Sequence, residues 1–259
     1  MAQGRIIAMG DIHGCSKALR VLFEKLQLGP RDRLIGLGDY INKGADSKGV
    51  IELLLSTKAQ FVGLMGNHEI LLMSSLGIES KVFPSSISCY STVSEQKLAE
   101  HGVFDLMLSS YGHEADIKTF DLPSEHIRFL QNLRPYYHLN IRGRKFFLVH
   151  AGLKQKALAQ RTLRQAIEVQ IEEDKPNENH SFFWQSRLHL VKPQFDAIII
   201  HGHTPWQRIL DKYGLEKFKF PGINYGRICL DGGCFEAQGS LVAYDITNDK
   251  FYTIDSASF

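Results

Sequence analysis

Arg5–Gly14 reads RIIAMGDIHG, Arg33–Gly44 reads RLIGLGDYINKG and Gln60–Glu69 reads QFVGLMGNHE. In each stretch a short apolar run of strand length ends in a glycine-flanked polar cluster. The run Arg5–Met9 is followed by Ser16–Leu28, where Leu19, Leu22, Phe23 and Leu26 fall at helical spacing. Arg33–Leu37 leads into a helical pattern over Ser47–Ser56, and Gln60–Met65 into one that begins near His68. This βαβαβα order predicts an α/β fold with parallel strand pairing and both faces of the sheet covered. Ligands of such sheets bind beyond the carboxyl ends of the strands, so chemistry is expected in the polar clusters.

Outward from this region the strand pattern returns at Tyr136–Ile141 and Lys145–Val149, joined by a turn at Arg142–Arg144. It returns again at Ala197–Ile200, Arg227–Leu230, Leu241–Ile246 and Phe251–Ile254, the last two as a closing hairpin. Between about Gly77 and Leu122 periodicity lapses and Ser, Gly, Tyr and His accumulate, which reads as an insertion or cap with short helices such as Ser94–His101. Gln155–Glu173 has helical patterning, and the polar run EEDKPNENH at its end reads as a surface loop. With no repeat and no linker, residues 1–259 are expected to form one domain.

Composition narrows the function. Of the 259 residues 44% are hydrophobic and 22% charged, so a sizeable core is available and a disordered chain is excluded. Lys plus Arg total 30 against 28 Asp plus Glu, a net charge of +2 that gives no electrostatic footprint for nucleic acid or a membrane surface. The longest apolar runs are strand-sized, the N-terminus has no signal-peptide pattern, and Cys15, Cys89, Cys229 and Cys234 show no zinc spacing. A cytoplasmic protein with reduced thiols is the expectation.

The polar clusters carry the chemistry. Asp11 and Asp39 are 28 residues apart, and so are Asp39 and Asn67, so three equal strand–helix steps bring oxygen and imidazole groups to one rim. Later strands add His150 in FLVHAGL and His203 in IIIHGHTP. Asp, Asn and His together suit Mn²⁺, Fe or Zn²⁺ rather than a thiolate zinc site. Glu69 reads as a first-turn carboxylate favoured by the helix dipole.

The series GDIHG, GDYINKG, GNHE, VHAG and GHTP resembles the metallophosphoesterases, closest to the phosphoprotein phosphatase branch and the related symmetrical bis(nucleosyl)tetraphosphatases. The resemblance implies the calcineurin-like fold, two mixed β-sheets packed face to face with helices outside, and a pair of divalent metal ions, Mn before Fe or Zn. It implies that Asp11 and His13 bind the first ion, that Asp39 bridges, and that Asn67, His150 and His203 complete the second site. It makes His68 the general acid for the leaving oxygen, with attack by a metal-bridging hydroxide. Pro205 stands where many relatives have a further histidine, so His201 is expected at a strand end rather than on a metal.

The second motif of these phosphatases usually reads GDxVDRG. Here Asn42 replaces the Asp that orients the catalytic histidine, and Lys43 replaces the phosphate-gripping Arg. Asn42 can accept a hydrogen bond but brings no negative charge, and Lys43 keeps a charge without the planar fork. Met65 stands where a second phosphate-binding Arg is frequent, while Arg187 in FFWQSR is a candidate replacement. Three functions follow: hydrolysis of phosphomonoesters, phospho-Ser/Thr among them; hydrolysis of symmetrical dinucleotide polyphosphates; or a metal-binding scaffold weakened in turnover. Specificity would reside in the 77–122 insertion and the loop near Asp211–Gly222, where Lys212, Lys217 and Lys219 read as a solvated charged face.

Overall fold

The computed structural model describes residues 4–82, 103–114, 116–173, 183, 191–213 and 220–258. Strands β1 (Ile6–Met9), β2 (Arg33–Gly36) and β3 (Gln60–Gly63) alternate with helices α1 (Ser16–Leu26), α2 (Ser47–Leu55) and α3 (Asn67–Ser75). The three strands run parallel, with Met9 opposite Gly36 and Gly36 opposite Gly63. Their ends are therefore level, and this is why residues just beyond them meet on one rim. After β4 (Tyr136–Ile141), β5 (Arg144–Val149) and β6 (Ile198–His201) come β7 (Ile223–Asn224), β8 (Arg227–Cys229), β9 (Asp231–Gly232), β10 (Ser240–Asp245) and β11 (Lys250–Asp255).

Two mixed sheets result. One has the order β11-β10-β1-β2-β3 with β9 on β10, and the other β4-β5-β6-β8-β7. Strands β5, β6 and β8 are parallel, while β4 and β7 close that sheet antiparallel. The closing hairpin β10–β11 is present, with Leu241 opposite Ile254. Alternation along the strands explains the packing. Ala8, Ile35, Leu37, Val242 and Tyr244 of the first sheet meet Phe146, Leu148, Ile200 and Ile228 of the second in one buried cluster. Ile7, Met9 and Leu34 point the other way, onto Leu19, Leu22, Val50 and Ile51 of α1 and α2. Each such buried aliphatic side chain contributes about 1.5–3 kcal/mol.

The sequence pattern missed some elements. The helical pattern Gln155–Glu173 is two helices, Gln155–Leu158 and Leu163–Glu173. Thr162 starts the second, its Oγ1 accepting from the Gln165 N–H at 3.2 Å, a capping signal (Thr-x-x-Gln) visible in the sequence. Helices Ser124–Gln131 and Trp206–Tyr213 and the two-residue strands β7 and β9 were not foreseen. Within 77–122 the described part includes a helix at Asp105–Ser110, with Met107 and Leu108 buried, while Ser94–His101 lies outside the described residues. Among the described residues no helix is long and apolar enough to cross a membrane.

Arg5 tethers the start of β1 to the turn before β2. Its guanidinium meets Asp32 Oδ2 at 2.6 Å, and Asp32 also accepts from the Arg5 and Gly29 backbone N–H groups at 2.8 and 3.0 Å. Burial pushes the Asp32 carboxyl up, but these donors and the Arg5 charge outweigh it and hold the pKa at about 2. With a folded pKa below the unfolded one, the stabilisation is present above pH ~4 and is lost as pH falls towards 2, about 2 kcal/mol in all. The stability gap between native protein and Asp32→Asn should narrow by about 1 kcal/mol from pH 7 to pH 3, read from urea midpoints. A gap that widens on acidification contradicts the linkage.

Candidate functional site

The rim holds an ordered set of acceptors. His13 follows β1 and donates from Nδ1 to the Ile41 carbonyl at 3.0 Å. A carbonyl only accepts, so Nδ1 carries the proton and Nε2 of the neutral ring is left with a lone pair. Burial holds His13 well below its ordinary pKa, which keeps the ring neutral. That Nε2 faces Asp39 Oδ2 at 3.4 Å. His150 repeats the design after β5: Nδ1 donates to the Leu37 carbonyl at 3.0 Å, and Nε2 lies 3.5 Å from Asp39 Oδ1 and 3.0 Å from Asn67 Oδ1. Asn67 Oδ1 is also 2.9 Å from His203 Nδ1.

Lone pairs and carboxylate oxygens facing one another repel unless a cation lies among them. The donor atoms of His13, Asp39 and His68 fall within 4.8 Å of one another, and so do those of Asp39, His150 and His203. These are two adjacent groups that could hold metal ions, with Asp39 common to both. Burial would push the Asp39 carboxyl up, yet positive charge gathered on His150, His68, His13 and Lys43 around it favours the carboxylate and draws it far below the ordinary range. Asp11 joins from β1, its Oδ2 accepting from the His203 N–H at 2.9 Å. Its Oδ1 is buried with no hydrogen-bond partner among the described residues. Burial, then Asp231 and Asp39, push the Asp11 carboxyl well up, so a cation here would relieve a real electrostatic cost. The donor chemistry and the orphaned oxygen both fit divalent ions.

Backbone conformation aims these groups. His13, Asp39, Asn42, Lys43 and His203 all have positive φ, between 47° and 73°, a region that costs most side chains but is more accessible to Asp, Asn and His. Close approach explains two glycines. A Cβ on Gly38, at φ 104°, would lie 2.6 Å from the Gly66 nitrogen, and one on Gly202 would lie 1.9 Å from Asp11 Oδ1.

Asn42 and Lys43 each meet a histidine of the site. Asn42 is buried, and its Nδ2 donates to His68 Nδ1 at 3.0 Å, whereas acceptance from His68 was expected. Asn42 Oδ1 has no partner among the described residues. An Nδ1 that accepts belongs to a neutral ring, in accord with a His68 pKa lowered by burial to about 4. Lys43 lays its Nζ 2.8 Å from His13 Nε2 and 4.6 Å from the centre of the Phe235 ring. His201 sits buried at the end of β6, as the motif spacing suggested. Arg187, Lys217 and Lys219 lie outside the described residues.

Two participants were missed. Glu69, in the first turn of α3, is fully buried and accepts from the backbone N–H groups of Asp39, Tyr40, Ile41 and Gly66 at 2.8–3.4 Å. It therefore fixes the loop that carries Asp39, although burial and Asp39 push its pKa up to about 8. Glu69→Gln turns an amide N–H₂ onto those donors, so it should cost about 2–3 kcal/mol in chemical denaturation. A loss below about 0.5 kcal/mol would contradict this role. Asp231 follows β8 and has a buried Oδ2 without a partner among the described residues, and burial raises its pKa to about 7. The rule that flagged the other strand ends, applied to Leu230–Gly233, would have found it.

Residues 4–230 match the calcineurin-like phosphoesterases. The chain belongs to that family. It is thus a metallophosphoesterase-family hydrolase, and a phosphoester substrate follows from the family. Over 68 residues this phosphoesterase is 35% identical to the symmetrical bis(5'-nucleosyl)-tetraphosphatase of Pseudomonas putida (strain GB-1), covering 26% of this chain and 24% of that protein. It is 37% identical over 68 residues to the enzyme of that name from Cellvibrio japonicus (strain Ueda107), covering 26% and 25%. These matches span about a quarter of the length of the curated relatives. A protein serine/threonine phosphatase from Saccharomyces cerevisiae shares the fold with a TM-score of 0.54 at 14% identity, over 98% of this chain and 80% of that one.

Proposed function

We propose that this phosphoesterase is a phosphatase that uses two divalent ions, Mn²⁺ before Fe or Zn²⁺, to hydrolyse phosphomonoesters. The observation that carries the reading is Asp39, shared by two groups of histidines whose lone pairs converge on its two oxygens. Asp11, His13 and Asp39 would hold one ion, and Asp39, Asn67, His150 and His203 the other. When bound, such ions acidify a water towards neutrality and offset charge on the phosphoryl oxygens. His68, beside Asn67, is placed to hand a proton to the leaving oxygen, with Asn42 orienting its ring. Lys43 and Arg187 are proposed to grip the phosphate, and phosphoserine or phosphothreonine is the proposed substrate class.

A second reading, a symmetrical dinucleotide polyphosphatase, is supported by the 35–37% identity to tetraphosphatases over 68 residues. It is supported too by Asn42, since a phosphoanhydride leaves with less help from a general acid. The test is Mn²⁺-dependent turnover of p-nitrophenyl phosphate against a dinucleotide tetraphosphate. A kcat/KM at least about tenfold higher for the monoester is expected, and the reverse order would replace the first reading by the second. No turnover of either by protein carrying two ions would leave the scaffold.

A further inference from the structure

We infer that Lys43 is a tethered cation that competes with a metal ion for His13, so that the two metal sites of this chain fill unequally. The inference rests on the two-ion reading above and concerns what Lys43 does to it. His13 Nδ1 is committed to the Ile41 carbonyl, so the ring has one remaining lone pair, on Nε2. Lys43 Nζ already donates to that lone pair at 2.8 Å. One lone pair serves an ammonium N–H or a metal ion, never both.

The position is built to hold the ammonium there. Lys43 is an exposed residue with φ 62°, and its Nζ stands 4.6 Å from the centre of the Phe235 ring. That ring packs edge-on against His13, 5.1 Å between centres, so imidazole and aromatic face form two walls around the charge. Asp39 Oδ2, 3.4 Å from the same His13 nitrogen, adds a negative neighbour. An ammonium is a compact point charge with three rotatable donors and can stand in for an ion at a single lone pair, which a planar guanidinium does less well. In the group around Asp39, His150 and His203, His150 Nε2 faces only oxygens among the described contacts.

Asp39, His150 and His203 should therefore take the first equivalent of metal, and His13 should join only when Lys43 leaves. An incoming phosphate oxygen would draw Lys43 away, which couples anion binding to filling of the His13 site.

The test uses Zn²⁺ as probe, followed by calorimetry and by ¹⁵N-histidine NMR. In native protein the His150 and His203 signals should move with the first equivalent and His13 with the second. Lys43→Met keeps the apolar stem against Phe235 and removes the ammonium. It should tighten the second ion at least about tenfold with the first nearly unchanged. Inorganic phosphate should tighten the second ion in native protein, and less in Lys43→Met. Equal tightening of both ions by the variant, no change in the second, or an equal phosphate effect in both proteins overturns the inference while two-ion binding stands. A single ion in native and variant alike overturns it together with the two-ion reading.

Discussion

Asp39→Asn is expected to lower Mn²⁺-dependent hydrolysis of p-nitrophenyl phosphate at least about a thousandfold while leaving the fold in place. Among the described residues the carboxylate is the group whose two oxygens serve both histidine clusters, Oδ2 towards His13 and Oδ1 towards His150. An amide of the same size keeps one oxygen and turns an N–H₂ towards the other cluster. It also removes the negative charge that Lys43 helps to stabilise. Folding should survive, because Asn tolerates the left-handed backbone at φ 52° and the Asp39 N–H still donates to Glu69. Mn²⁺ stoichiometry should fall below two per chain, with a thermal midpoint within a few degrees of native. A variant that binds two ions and retains a tenth of native turnover would remove Asp39 from its shared position.

The rim itself was legible in the sequence, for a physical reason. Equal strand–helix steps with Met9, Gly36 and Gly63 in register must deliver Asp11, Asp39 and Asn67 to one edge, and residue types alone then name the chemistry. What could not be read is how side chains meet across that edge. The contacts of Lys43 with His13 and of Asn42 with His68 arise from residues that hold positive φ without being glycine, which no local pattern announces. Glu69 is the first-turn carboxylate that the sequence suggested, but its helical position could not tell that α3 begins inside the site and presents this turn to the loop of Asp39. Strands β7 and β9, two residues each, are too short to show a period. Asp231, just beyond β8, follows the same strand-end pattern as Asp11 and Asp39 and was legible in the same way.

Asn42→Asp should raise turnover of alkyl phosphates, such as a phosphoserine peptide, by about ten- to a hundredfold, with little change for p-nitrophenyl phosphate. The argument starts from hydrogen-bond direction. As placed, the Asn42 amide donates to His68 Nδ1, and an imidazolium, which carries N–H on both nitrogens, would set donor against donor there. A carboxylate at the same place accepts from Nδ1–H and adds a negative charge, so the protonated ring becomes the favoured form. Asn42 Oδ1 has no partner among the described residues, so no described group there relies on that oxygen. An alkoxide is a poor leaving group and needs the proton from His68, whereas p-nitrophenolate departs largely unaided, so the two substrates separate acid catalysis from everything else the mutation does. Equal gains on both would point to altered metal or phosphate binding. No gain on the alkyl ester, with two ions still bound, would mean that His68 is not the proton donor and that Asn42 is no defect in this chain.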